Sequence, residues 1–168
     1  LYQLTTWQDV VTELWGEGID RVVSDDSYTL PDNVEHLTLS AIAMGDNGYG
    51  NALGNLILGN HFNNALYGYA GKDTLDGGEG VDTLLGGADN DTYHVNDTVD
   101  TVYEAPNEGV DVVIAGLNYT LTANVENLVL DGSSGAANGN GNAHDNTIWG
   151  NNINNGLYGY AGVDTLYG

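Results

Sequence analysis

The apolar residues of the chain fall on two beats. Over residues 68–94 the beat is nine: Leu75, Leu84 and Tyr93 each stand two places after an aspartate, and GYAGKDTLDGGEGVDTLLGGADNDTYH divides into three nine-residue units. Glycine opens each unit (Gly68, Gly77, Gly86) and a second glycine follows in two of them (Gly78, Gly87). The fourth residue is small or acidic (Gly71, Gly80, Asp89), the sixth is aspartate (Asp73, Asp82, Asp91) and the eighth is apolar. Over 1–20 and 92–111 the beat is closer to two, with Val95, Val99 and Val102 set among Asp100, Glu104 and Glu108. Such alternation predicts short strands with one face turned inward. The density of Gly, Asn, Thr and Val predicts no helix longer than a turn.

The nine-residue unit has a chemical logic. Glycines allow positive-φ turns that aim backbone carbonyls at one point, and the aspartate adds a charged oxygen there. The eighth side chain then points inward from a short strand. Turn chemistry alone favours Asp and Gly, but it does not demand an aspartate every nine residues. The stretch resembles the RTX, or hemolysin-type calcium-binding, nonapeptide repeat family.

That resemblance implies an all-β, right-handed parallel β-roll or β-helix solenoid with several calcium ions bound between edge loops. Two units would make one coil of about 18 residues, and stacking would bury the inner line of Leu, Ile and Val. It implies metal contacts at Gly68, Gly71, Asp73, Gly77, Gly78, Gly80, Asp82, Gly86, Gly87, Asp89 and Asp91. Degenerate units extend the set to Asp100 and Asp111, and LYGYAGVDTL adds Gly159, Gly162 and Asp164. Asn64, Asp9, Asp20 and Asn155 occupy weaker positions of the same register. On this register Asp73 faces Asp91 and Asp82 faces Asp100, with Asp91–Asp111 and Asn64–Asp82 as extensions. The insertion Glu104-Ala105 then brings Asp111 back to the sixth place and Val113 to the eighth.

A longer period underlies the short one. Residues 1–77 align without a gap on 92–168, and about half of the aligned positions are identical. The chain thus reads as one elongated domain over 1–168, with a first unit at 1–91 and a truncated second unit at 92–168. It is expected to be a fragment of a longer protein. Other textures separate the aspartate units. Residues 28–39 and 119–130 read as strand, turn, strand with no glycine loop, so they need no metal. In GNALGNLIL, GNHFNNALY, GNAHDNTIW and GNNINNGLY, asparagine holds the second and sixth places. Amide ladders and turn hydrogen bonds are the expected role there, with weak calcium contact open.

Charge narrows the function. Two Lys+Arg against 24 Asp+Glu give a formal charge of −22, which argues against nucleic acid or an anionic membrane as partner. A compact state would repel itself unless cations neutralised it. No cysteine is present, so neither disulfides nor thiolates contribute, and the four histidines are scattered, which disfavours zinc. Magnesium is disfavoured because it wants near-ideal octahedral geometry. No apolar run approaches a membrane span. The expected function is a calcium-binding module that folds outside the cell, after type I secretion or at the cell surface, as a structural and secretion-assisting scaffold. No catalytic constellation stands out, and Glu13/Glu104, Glu17/Glu108 and Glu35/Glu126 recur in both copies as structural parts. Polysaccharide is the alternative partner, through outward aromatics at Tyr67, Tyr69, Trp149, Tyr158, Tyr160 and Tyr167.

Overall fold

The computed structural model describes residues 1–4, 10–132, 135 and 138–168, all as strand, turn or irregular backbone with no helix. Its strands run in chain order as β1 (Tyr2–Leu4), β2 (Arg21–Ser24), β3 (Tyr28–Thr29), β4 (His36–Leu39), β5 (Gly48–Tyr49) and β6 (Leu56–Asn60). Next come β7 (Ala65–Ala70), β8 (Thr74–Gly78), β9 (Thr83–Ala88), β10 (Thr92–Val95), β11 (Thr101–Tyr103) and β12 (Val112–Ala115). The last are β13 (Tyr119–Thr120), β14 (Asn127–Leu130), β15 (Gly139–Asn140), β16 (Thr147–Trp149), β17 (Leu157–Tyr158) and β18 (Thr165–Tyr167).

Ten of them, β1-β2-β4-β6-β8-β10-β12-β14-β16-β18, form one sheet. The opposite wall consists of β11-β9-β7-β5-β3 and then β13-β15-β17. Every pairing is parallel, and successive turns of the chain lie on one another, so the fold is a parallel β-solenoid of about nine turns. Parallel neighbours need a crossover between them. Here the crossover is simply the strand on the other wall.

Turn length varies in a fixed order. The register steps from Tyr2 to Val22, to Leu37, to Ile57, to Leu75 and to Tyr93, then from Tyr93 to Val113, Leu128, Ile148 and Leu166. The short step after Val22, and again after Val113, contains the glycine-free strand-turn-strand segment, tightened at Asn33 (φ 68°) and Asn124 (φ 67°). The long step from Tyr93 to Val113 accommodates Glu104-Ala105.

The core is a ladder of eighth-position side chains. Val22, Leu37, Ile57, Leu75, Tyr93, Val113, Leu128 and Ile148 project from the large sheet and meet Leu66, Leu84 and Val102 from the facing one, all fully or almost fully buried. Each large aliphatic group so buried contributes about 1.5–3 kcal/mol. Because one row of side chains fills the narrow interior, each turn depends on its neighbours for burial. The loops at the two edges therefore stack in register.

Candidate metal centre: the edge loops

The loops of Asp73, Asp82, Asp91 and Asp164 turn twice through the left-handed region. The second and fourth residues pair as Tyr69 (φ 78°) with Gly71 (103°), Gly78 (84°) with Gly80 (124°), Gly87 (98°) with Asp89 (79°), and Tyr160 (67°) with Gly162 (114°). Glycine adopts these angles without steric cost, and Asp89 tolerates them, whereas tyrosine there is uncommon.

The sixth-position carboxylates then line the two edges. Where the chain enters the large sheet, Asn55 N donates to Asp73 Oδ1 (2.7 Å), Asp73 N to Asp91 Oδ1 (2.8 Å) and Asp91 N to Asp111 Oδ1 (2.8 Å). Asp111 N continues the ladder to Glu126 Oε2 (2.9 Å), and Asn146 N donates to Asp164 Oδ1 (2.9 Å). On the other edge Asn64 N donates to Asp82 Oδ1 (2.8 Å) and Asp82 N to Asp100 Oδ1 (3.0 Å). Each aspartate is thus locked by one oxygen to the loop one turn back.

The second oxygen is left over. Oδ2 of Asp73, Asp82, Asp91 and Asp111 is buried and accepts no hydrogen bond. In Asp73, Asp82 and Asp91 it lies against the first glycine of its own unit. A Cβ on Gly68 would sit 2.2 Å from Asp73 Oδ2 and 2.7 Å from the carbonyl oxygen of Gly86. At Gly77 and Gly86 the corresponding oxygen, of Asp82 or Asp91, would be 2.1 Å away, and at Gly159 Asp164 Oδ2 would be 2.2 Å away. Only glycine leaves the oxygen-lined space open.

Burial pushes Asp73 and Asp91 up to about 7, and Asp82 and Asp111 to about 6, against the lowering effect of the amide bonds they accept. Asp100 is raised too, again first by burial. A buried anionic oxygen without a partner is costly, and it must find a proton or a cation. Among the described residues no lysine or arginine pairs with these groups. The donor set is carboxylate and carbonyl oxygen, which suits a hard cation of calcium's coordination number. The residues fit calcium.

The asparagine loops close themselves. Asn60 Nδ2 donates to the carbonyls of Ser40 (2.8 Å) and Ala43 (2.9 Å), and Asn51 Nδ2 to those of Pro31 and Val34 (2.7 Å each). Asn142 Nδ2 does the same to Thr122 and Val125 (2.7 Å each). The sixth-position amides add Asn55 Nδ2 to Glu35 O (3.2 Å) and Asn64 Nδ2 to Asp46 O (2.7 Å). Asn64 Oδ1 and Asn155 Oδ1 accept the amides of Asn60 (2.9 Å) and Asn151 (2.8 Å). Asn64 and Asn155 thus each cap their own loop through Oδ1, while Asn64 Nδ2 ties it to the loop one turn back. Asp20 N donates to Glu35 Oε2 (2.9 Å), as Asp111 N does to Glu126; Asp9 lies outside the described residues.

Sequence reasoning missed one group. Tyr93, in an inward place that leucine usually holds, donates its hydroxyl to Glu104 Oε1 and accepts from Gly86 N (2.8 Å). Tyr2 donates to Glu13 Oε2 (2.5 Å) in the same way. An inward tyrosine followed eleven residues later by glutamate, in both copies, was the available signal. Glu108 and Glu17 instead accept backbone amides within the inserted turns, from Ala105 (2.7 Å) and Leu14 (3.2 Å).

Comparison with known proteins agrees with this geometry. The family model for the RTX calcium-binding nonapeptide repeat matches four times, at residues 49–84, 58–93, 67–102 and 140–168. An endo-1,3-1,4-beta-glycanase, ExsH of Rhizobium meliloti (strain 1021), is 43% identical over 61 residues, 36% of this chain and 13% of that protein. The chain therefore matches only a small part of that relative. No solved structure matches the chain.

Proposed function

Because the chain belongs to the RTX calcium-binding nonapeptide repeat family, we propose that it is a calcium-dependent structural module of a larger secreted protein. Its strands form when calcium occupies the edge loops. The observation that carries this reading is the row of buried, unpartnered Oδ2 atoms at Asp73, Asp82, Asp91 and Asp111, in a chain with two basic residues against 24 acids. When bound, calcium supplies the positive charge and oxygen coordination that the chain lacks. The aspartates do the rest: one oxygen of each clamps the preceding loop, and the other faces the space kept open by glycine.

In an unfolded chain the same carboxylates are hydrated and far apart, so building the site and folding the chain are one event. Each ion stabilises by about 2.7 kcal/mol at a hundredfold excess over its Kd. Extracellular calcium modules typically have Kd of about 10⁻⁴ to 10⁻³ M. The chain would stay largely unfolded at cytosolic calcium, pass a type I secretion channel, and complete its folding on exit. The buried carboxylates are committed to the loops, which favours a scaffold over a catalyst. Circular dichroism tests this: parallel β-structure should form in millimolar calcium and be largely lost in excess EGTA. Equal β content in the two conditions would refute the reading.

A second reading is polysaccharide contact by outward aromatics. Trp149 and Tyr167 stack at 5.7 Å on the large sheet, Tyr49 and Tyr67 at 5.0 Å on the facing one. Trp149 also borders a trough with Val110, Val112 and Val129. The matched relative's name is that of a glycanase. A glycan array in calcium, with Trp149→Ala as control, checks it. Binding that survives the substitution, or no binding at all, counts against this face.

A further inference from the structure

We propose that Glu104 is a side-chain ligand of the calcium site between the Asp91 and Asp111 loops, which makes it a site of three carboxylates. The proposal rests on the calcium reading above and adds to the facing aspartate pair a ligand that the nonapeptide pattern does not contain. The matched repeats break off at residue 102 and resume at 140, and the turn that follows the break is lengthened by Glu104-Ala105.

One carboxylate oxygen from each of the three residues lies within 4.8 Å of the other two. Asp91 is 1% exposed, Glu104 4% and Asp111 0%. In each, one oxygen is tied to the scaffold. Asp91 Oδ1 holds the Asp73 amide, Asp111 Oδ1 the Asp91 amide, and Glu104 Oε1 the Tyr93 hydroxyl. In each, the other oxygen (Asp91 Oδ2, Glu104 Oε2, Asp111 Oδ2) is buried with no partner. Tyr93 is itself fixed by the Gly86 amide (2.8 Å), so the glutamate is aimed and not merely tucked away.

Up to three negative charges thus meet in a space that water does not reach and that no basic side chain approaches among the described residues. The all-oxygen donor set selects a hard cation, and ligand charge count raises affinity for it. The ordinary loops pair aspartates one turn apart with glycine carbonyls. This site adds a third carboxylate, so it is the tightest calcium site of the chain and exchanges its calcium readily for a trivalent lanthanide.

Calorimetric titration of the chelator-treated 168-residue chain with calcium tests this against Glu104→Gln, which keeps an acceptor for Tyr93 and removes the charge. The variant should bind one calcium fewer, and the tightest step should be the one lost or weakened by about tenfold or more. Asp82→Asn should lose a weaker step and keep the tightest. If Glu104→Gln binds the same number with the same affinities, Glu104 is a neutral core acid and the site is overturned while the calcium reading stands. If the unaltered chain binds no calcium, both fall. Should Glu104→Gln fail to fold at any calcium level, a terbium-soaked crystal of the unaltered chain decides. An ion within about 2.3–2.6 Å of Glu104 Oε2 supports the site, and filled neighbouring loops with no ion there overturn it.

Discussion

In the loop of residues 77–82, Asp82 keeps a buried oxygen without a partner. One turn back, in the loop of residues 59–64, Asn60 and Asn64 direct their amide groups at the carbonyls of Ser40, Ala43 and Asp46. The two loops stack directly, with Asn64 N bonded to Asp82 Oδ1. They differ in the sign of what faces the carbonyls. An amide brings donors, so donor meets acceptor and the loop is complete. A carboxylate brings only acceptors, so acceptor meets acceptor and a cation is required. The backbone follows: the loops of Asp73, Asp82, Asp91 and Asp164 carry paired positive-φ residues, and none is found in the asparagine loops at 51–55, 60–64 and 142–146. The solenoid thus joins a block of turns that keep a buried carboxylate oxygen open to turns completed by their own hydrogen bonds.

Calcium removal should break the molecule along that line, and it is the largest effect expected. At a hundredfold excess over Kd each ion supplies about 2.7 kcal/mol. A few ions together match the whole net stability of an ordinary domain, about 5–15 kcal/mol. In EGTA, hydrogen exchange followed by mass spectrometry should show 68–104 losing protection first and most. Residual protection should concentrate in the asparagine turns. Uniform loss along the chain would mean that the two loop types do not differ in the way their hydrogen bonds indicate.

A proton should partly replace the ion. In the metal-free fold Asp73 and Asp91 are pushed up to about 7, Asp82 and Asp111 to about 6, and Glu104 to about 8, each first by burial. All lie above ordinary carboxylates at about 4. The metal-free fold therefore holds protons more tightly than the unfolded chain does. Its stability is greatest below the ordinary carboxylate range and is lost as pH rises through about 6–8. In EGTA the residual β-structure should be greater, and melt higher, at about pH 5 than at about pH 8, while calcium affinity falls on acidification because protons compete for the same oxygens. A metal-free chain that melts lower at the acid pH would contradict the burial of these groups.

A single aspartate gives a smaller, local effect. Asp82→Ala removes both the carboxylate proposed to face calcium and the acceptor for Asn64 N. It should abolish one binding step and cost roughly 2–4 kcal/mol in calcium, combining a lost site with an unmade hydrogen bond to a charged group. In EGTA the cost should shrink, because an orphan charge is removed as well. Chemical denaturation in the two conditions measures the difference.

Much of this contrast is legible in the sequence because it is periodic. Inward Leu75 and Leu84, the strands before them, and the return of register at Asp111 after a two-residue insertion all follow from counting places within a repeat. What counting does not reveal depends on contacts between turns. That Asn60 reaches back to Ser40, or Glu126 back to the amide of Asp111, is decided by which loop lies above which. The turn lengths that set this vary with segments having no repeat signature. Tyr93 and Glu104 escaped for a related reason. Each looks ordinary in its own position, a tyrosine for a leucine and an acid in an insertion, and only the folded turn places one against the other.

The finest test lies in the metal-free half of the comparison. Asn142 sits in an asparagine loop and donates to the carbonyls of Thr122 and Val125 (2.7 Å each), while its Oδ1 accepts from His144 N (2.9 Å). Asn142→Ala leaves those partners unpaired in a half-buried turn. Unsatisfied groups of this kind cost about 1–3 kcal/mol, which lowers the melting temperature of a chain this size by about 2–4 °C for each kcal/mol. Since no cation takes part, added calcium should raise the melting points of variant and parent equally, keeping the gap between them. Asn142→Asp should behave differently, because it puts acceptors where donors stood and so sets acceptor against acceptor, as the sixth-place carboxylate of Asp82 does in its own loop. Its destabilisation should exceed that of alanine without calcium, and calcium should reduce it. If calcium closes the gap for alanine but not for aspartate, the difference between the loops does not lie in the sign of the sixth- and second-position side chains.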